Sequence, residues 1–142
     1  MTQEIKPTYV TREQANRLKE KEFDLPTYAY YSGLNFYTGE YKNHSQTTIG
    51  DTPMHKMLIG YTSAPEQWQV VEWLRVNHGI WVQGPFPINN GKWEWVIFLL
   101  NEPLENTDGY KNIMSLHTKQ RQFNSPQEAY SAAFDYVLKE LI

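Results

Sequence analysis

The sequence predicts an α+β fold: a mainly antiparallel sheet of four to five strands, packed by a central and a C-terminal helix, with a short N-terminal helix. Three observations predict it. Thr11–Gln14, Ser63–Glu66 and Ser125–Glu128 each have the form of a capping box. Each is followed by apolar residues at helical spacing. Between them lie aromatic-rich segments divided by Ser32-Gly33 and Asn89-Asn90-Gly91, the punctuation of β-hairpins.

Met1–Tyr9 is expected to be an extended or frayed lead-in. Thr11-Arg12-Glu13-Gln14 opens a helix to about Lys21, with a thin apolar face of Ala15 and Leu18 flanked by Val10 and Phe23. Lys19–Glu22 is a solvated charged surface. Phe23-Asp24-Leu25-Pro26 ends the helix, because the residue before a proline resists the α conformation. Thr27–Tyr31 and Asn35–Thr38 follow as two aromatic strands, with Tyr28 and Tyr30 on one face and Ala29 and Tyr31 on the other. Tyr41–Lys56 is polar and holds His44, Asp51 and His55, residue types that can bind a metal. No recognised ligand spacing joins them, and a surface loop is the expectation. Met57–Tyr61 is a short strand leading into the central helix.

The stretch from Ser63 to Leu100 carries all five tryptophans: Trp68, Trp73, Trp81, Trp93 and Trp95. Its helix runs from the Ser63 cap to about His78, with Val70, Val71, Leu74 and His78 on one side and Gly79 as the left-handed terminator. His78 is expected to interact with the free carbonyls of the last turn. The hairpin that follows can be phased with Ile88 opposite Trp93, Phe86 opposite Trp95 and Val82 opposite Leu99. Both a two-residue Asn90-Gly91 turn and a four-residue Asn89–Lys92 loop give this pairing. The longer loop is favoured, since it puts Pro85 and Pro87 at sites that need no backbone donor. The prolines also make this strand a sheet edge. The partner strand is apolar on both faces. One face packs on helices. The other, with Trp81, Val96, Phe98 and Leu100, is either covered within the chain or is a partner-binding surface.

Asn101–Asn124 is a long connection, with a strand expected over Tyr110–His117. His117, Lys119 and Arg121 form a small basic segment. The last helix starts at Ser125-Pro126, with Tyr130, Ala133, Phe134, Val137 and Leu141 in one stripe.

The totals exclude several function classes. The 142 residues suffice for a single domain with a core. With no cysteine there is no disulfide, zinc–thiolate site or thiol nucleophile. The longest apolar run, Trp95–Leu100, is too short to span a bilayer, and Met1–Val10 lacks the apolar core of a signal peptide. A cytoplasmic protein with no membrane partner is expected. With 13 basic and 16 acidic residues the net charge is −3, which disfavours sequence-independent binding to a duplex.

Three segments in this order and spacing carry a resemblance: Thr11-Arg12-Glu13-Gln14-Ala15 through Phe23-Asp24-Leu25-Pro26; Ser63-Ala64-Pro65 through Trp73-Leu74-Arg75 to His78-Gly79-Ile80; and Glu128-Ala129 through Leu138-Lys139-Glu140-Leu141-Ile142. Together they resemble small uncharacterised proteins encoded by bacteriophages and prophages of Bacteroidetes and related bacteria. The resemblance implies a mobile-element context. It implies no activity and supplies no catalytic residues.

The expected function is therefore a non-enzymatic accessory protein that binds a host or phage protein through Trp81, Val96, Phe98 and Leu100. Two alternatives stand beside it. One is a nucleic-acid-binding protein that uses the aromatic strands and the basic 117–121 loop. The other is a small metal-dependent enzyme built on His44, Asp51, His55, His78 or His117. No motif assigns a catalytic residue, a metal site or a cofactor.

Overall fold

The computed structural model describes residues 2–33, 35–38, 48–49, 52–53 and 61–142, the pieces 48–49 and 52–53 by backbone alone. The fold is α+β. It differs from the expected single sheet: the described residues form two three-stranded antiparallel sheets and one pair of two-residue strands. The chain divides into two units, Met1–Gln67 and Trp68–Ile142, each holding one of the larger sheets.

In the N-terminal unit, α1 (Arg12–Glu20) starts where the capping box puts it. Thr11 Oγ1 accepts from the Gln14 N–H at 3.2 Å, and Gln14 Oε1 accepts from the Thr11 N–H at 3.1 Å. Its C-terminus closes as a Schellman motif. The Phe23 N–H donates to the Leu18 carbonyl (2.9 Å) and the Glu22 N–H to that of Lys19 (3.1 Å). Leu18 and Phe23 are both buried, which is the apolar contact that accompanies this motif. Glu22, at φ 64°, takes the left-handed position usually given to glycine.

β1 (Ala29–Ser32) and β2 (Asn35–Thr38) form the expected hairpin, with Gly33 at φ 59° in the turn. Two-residue strands β3 (Thr48–Ile49) and β4 (Thr52–Pro53) pair with each other. β5 (Tyr61–Ala64) then pairs with the free edge of β1, giving the order β2-β1-β5. α1 lies against β5, and Asn16 Oδ1 accepts from Thr62 Oγ1 at 3.2 Å.

This placement corrects the expected helix start at Ser63. Ser63 is a buried strand residue opposite Tyr30, and the central helix α2 runs from Gln67 to His78. Thr62, Ser63 and Ala64 are buried when they join the sheet, a larger gain than one cap hydrogen bond. Backbone replaces the cap: the Gln67 N–H donates to the Thr8 carbonyl at 2.9 Å.

In the C-terminal unit, Gly79 (φ 63°) carries α2 straight into β6 (Ile80–Ile88). A Cβ here would meet the exposed Asn101 side chain, which would have to move, but it is the positive φ that favours glycine. β6 pairs with β7 (Lys92–Pro103), which pairs with β8 (Tyr110–Met114), in the order β6-β7-β8. The predicted strand over 110–117 ends early, because Ser115–His117 turns into a short 3-10 helix.

The hairpin register differs from the sequence phasing in an instructive way. Its loop has three residues, Asn89–Gly91, with Asn90 and Gly91 both at positive φ, so Ile88 faces Lys92. Further along, Gly84 and Pro85 together oppose Trp95, a β-bulge. The bulge leaves Val82 opposite Ile97 and turns Phe86 to the face of Glu94 rather than of Trp95.

The argument from the prolines holds in part: the four-residue loop it favoured does not form, but Pro87 stands at a site that needs no donor. Trp93 exchanges both its backbone bonds with Phe123 (2.8 and 2.9 Å), on the side away from β6. Pro87, opposite Trp93, therefore lacks nothing by having no N–H. Pro85 lies in the bulge, and the Trp95 N–H points to Ser115 Oγ at 3.1 Å. β6 pairs with no described strand on its outer side.

α3 (Pro126–Tyr136) packs on β6 and β7. Its cap is Ser125, whose Oγ accepts from the Glu128 N–H (3.1 Å), while Glu128 accepts from the Asn124 N–H (3.0 Å). Ala129, Ala133 and Phe134 are buried beneath it. A π-helical turn over Val137–Leu141 follows and buries Val137 together with Leu138. That turn shifts the stripe, so Leu138 enters the core while Leu141 is only half-buried. Gly84 also has a packing reason: a Cβ there would come within 3.2 Å of the Tyr130 hydroxyl. Of the two helices expected on this sheet, α3 packs on β6 and β7, whereas α2 leads into β6 through Gly79, whose carbonyl accepts from the Leu100 N–H (2.8 Å) as the ladder begins.

Candidate functional site

The sequence placed a partner surface on Trp81, Val96, Phe98 and Leu100. Trp81 and Phe98 are directly opposed in the β6–β7 ladder, and Val96 lies on the same face two residues along β7. Val96 is buried, and Trp81, Phe98 and Leu100 are half-buried. The four share a face, but they offer only part of each side chain.

The other candidates are dispersed. His78 packs edge-on against the Trp73 ring at 4.6 Å, one turn back on the same helix. His117 is in the 3-10 turn after β8. His44, Asp51 and His55 lie outside the described residues. Among the described residues, no three His, Asp or Glu side chains lie together in a way that would hold a metal ion.

The basic 117–121 loop is organised by Ser115. Ser115 is fully buried; its hydroxyl accepts from the Trp95 N–H and donates to the Arg121 carbonyl, both at 3.1 Å. Thr118 Oγ1 lies within hydrogen-bond distance of the Ser115 and Gln120 carbonyls (2.7 and 2.8 Å), and its one hydrogen serves either. Lys119 thereby lines a cleft of about 380 Å³ over Trp95, facing Asp135, Tyr136, Lys139 and Glu140 of the last helix. Bases and acids alternate around this cleft, and no positive groove results. The Trp95 indole N–H has no hydrogen-bond partner among the described residues, but it is sealed from solvent, so a molecule in the cleft does not reach it.

Among the described residues a second set of exposed aromatics, Tyr28 and Phe36, lies in the N-terminal unit, and sequence reasoning did not single it out as a protein-binding surface. Of the expected extended or frayed lead-in, residues 2–7 are exposed and without regular structure, whereas Thr8–Val10 are tied down. The Val10 N–H donates to the Pro65 carbonyl (3.0 Å), and Tyr9 bridges antiparallel to Glu66. The Tyr31 hydroxyl donates to the Val10 carbonyl at 2.7 Å, pinning the segment to the sheet. Phe36, opposite Tyr31 in the β1–β2 ladder, packs at 5.2 Å from both the Tyr31 and the Tyr9 rings, tilted by 54° and 57°.

Between this lead-in and β2 lies a groove of about 590 Å³, lined by Glu4, Lys6, Pro7, Tyr9, Tyr28, Phe36, Thr38 and Glu66. Tyr28 is 48% exposed and Phe36 42%, whereas Tyr30, two residues from Tyr28, is buried. The Tyr9 hydroxyl is held above its ordinary pKa of 10.0, first by burial, then by the Glu66 carboxylate and by Tyr28. The groove thus combines aromatic walls with two carboxylates, Glu4 and Glu66, and one lysine, Lys6. Its residues come from four separate stretches of chain. Single-segment patterns show Tyr28 and Phe36 as strand aromatics, but not that Tyr9 and Glu66 meet. Comparison with known proteins returned no matching family model, no matching curated protein and no matching solved structure.

Proposed function

We propose that this chain is a non-enzymatic protein-interaction module, an accessory protein of phage or prophage type, and that it binds through the groove of Tyr9, Tyr28 and Phe36. One observation carries the reading: two large aromatic side chains, Tyr28 and Phe36, stay nearly half in water on the wall of a concave surface, while nearby Tyr30 is buried. Apolar area left in water is free energy that a partner recovers by covering it, about 25 cal/mol per Å². Concave sites rimmed by polar groups and walled by aromatics are where binding energy concentrates. The half-covered face of Trp81, Phe98 and Leu100 offers less of this.

The nucleic-acid alternative has two observations against it. Lys119 shares its cleft with Asp135 and Glu140, and the exposed aromatics stand beside Glu4 and Glu66. Stacking platforms for single strands need aromatics beside positive charge.

The test is selection of a random peptide library on the immobilised full chain. Binders are then screened against Tyr28→Ala/Phe36→Ala and, separately, Trp81→Ala/Phe98→Ala, each checked for folding by circular dichroism. The reading expects peptides that lose binding in the first variant and keep it in the second. Peptides indifferent to the first and lost only in the second would move the site to the β6–β7 face.

A further inference from the structure

We infer that β8 is an interface strand: it pairs antiparallel with β8 of a second copy of this chain, in the register that sets Asn112 opposite its own counterpart. The inference goes beyond the interaction-module reading and does not use its groove. It starts from the direction of the backbone groups. In an antiparallel ladder they point alternately to one neighbouring strand and to the other. The Leu100 N–H donates toward β6, to the Gly79 carbonyl, and the Trp95 N–H points the opposite way, to Ser115 Oγ. Ile97 and Leu99, in phase with Trp95, therefore turn to β8, where they face Ile113 and Lys111. The Leu104 N–H donates to the Gly109 carbonyl at 2.9 Å, just outside the Pro103–Tyr110 pair, which makes that pair a non-bonded one. Tyr110, Asn112 and Met114 thus turn their N–H groups outward, and no described strand meets them there.

The two edges of this sheet differ. The outer edge of β6 carries Pro87, which has no donor to offer, and the bulge at Gly84-Pro85. These are devices that keep an edge from adding a strand. β8 has no proline, and its first three residues are exposed. Its one charged residue, Lys111, lies 3.7 Å from Glu102 of β7.

The residues of β8 select a second copy and one register of it. A twofold axis through Asn112 brings all three outward-facing residues of each strand into the new ladder, Asn112 with Asn112 and Tyr110 with Met114. An axis one residue earlier admits only Tyr110 and Asn112, and it sets two Lys111 ammonium groups opposite each other. An axis one residue later admits only Asn112 and Met114. Asn112 is exposed, and its amide both donates and accepts, so it tolerates its own image on the axis. Tyr110, 40% exposed, then meets the half-buried Met114 of the other copy, an aromatic–thioether contact made twice. The product is a continuous sheet with three strands from each copy.

The test is sedimentation equilibrium of the full chain up to about 1 mM, with a monomer–dimer equilibrium as the expected result. Asn112→Lys places like charges on the axis at an exposed position and should weaken the dimer roughly fivefold or more, as should Asn112→Glu. An equal mixture of the two variants should recover the dimer to within roughly twofold of the wild type, which damaged folds would not do. Amide hydrogen exchange in the wild type decides the matter if a variant misfolds. The Asn112 and Met114 N–H groups should exchange fast in dilute protein and slow down as concentration rises. A chain monomeric throughout would overturn the inference. So would a dimer indifferent to both Asn112 variants, or a loss that the mixture does not restore. Protection of Asn112 and Met114 only on adding a peptide from the library selection, with the chain monomeric, would also overturn it and give this edge to a partner's strand.

Discussion

At the scale of single residues, two positions depart from what their sequence neighbourhood suggests, and both are measurable. Glu22 sits at φ 64° in the Schellman motif of α1. A residue with a Cβ is strained there by about 1 kcal/mol or more, part of which glycine's larger unfolded-state entropy offsets. Glu22→Gly is expected to raise stability by about 0.5–1 kcal/mol in urea denaturation, the reverse of the usual effect of introducing glycine. Ser115 is a hub: its hydroxyl takes the Trp95 N–H and gives to the Arg121 carbonyl, wholly out of water. Ser115→Ala leaves both backbone groups without that partner and should cost about 2–3 kcal/mol. A loss below about 0.5 kcal/mol would mean that the 115–121 loop is not held this way.

Three half-buried tyrosines give the residue scale its pH dependence. The hydroxyls of Tyr9, Tyr31 and Tyr130 are all held above their ordinary 10.0, chiefly by burial; beside Tyr31, Arg12 acts in the opposite sense. A raised folded-state pKa contributes stability that is fully present below the unfolded value and is lost as pH rises through the folded one. Stability should therefore fall above about pH 10. Tyr31→Phe should be less stable at neutral pH, by about 1 kcal/mol for its bond to the Val10 carbonyl, with a shallower alkaline decline. An unchanged slope in that variant would contradict the assignment.

At the scale of elements, legibility followed the range of the interaction. The caps at Thr11 and Ser125 were readable because cap and partner lie three residues apart. The Ser63 pattern was equally good locally. It failed because Tyr61–Ala64 finds β1 across a long stretch of chain, and a ladder plus burial outweighs a cap. The hairpin divides in the same way. Its prolines gave the edge strand and the orientation of backbone bonds correctly. Its loop length and the bulge at Gly84-Pro85 depend on how Trp95 is held from the far side by Ser115, which no local pattern contains. The C-terminal helix was the most periodic element, and its centre, Phe134, is fully buried. Phe134→Ala should cost about 3–5 kcal/mol by thermal or urea unfolding. A cost near that of a surface substitution would contradict its place in the core.

At the scale of the whole molecule, the aromatic supply divides into two uses. In the C-terminal unit Trp73 and Trp95 are core residues, Trp81 is half-covered, and Trp68 and Tyr110 are exposed. In the N-terminal unit Tyr30 is core, while Tyr28 and Phe36 are left on a groove whose remaining wall is a lead-in segment zipped to residues 65–67. Composition alone gave the abundance of aromatics. It could not say which would stay in water, because that depends on a bridge between Tyr9 and Glu66, far apart in sequence. The candidate surface on Trp81, Val96, Phe98 and Leu100 was legible as a shared face, but how far it would be covered was not.

The most direct test of the groove as the binding surface is a chemical-shift map of the full chain with a peptide from the library selection. The aromatic signals of Tyr28 and Phe36 report the groove, and the indole N–H of Trp81 reports the β6–β7 face. The groove reading predicts that Tyr28 and Phe36 shift with increasing peptide while the Trp81 indole stays in place. Movement of the Trp81 indole with Tyr28 and Phe36 unchanged would contradict it and return the binding surface to the face of Trp81, Val96, Phe98 and Leu100.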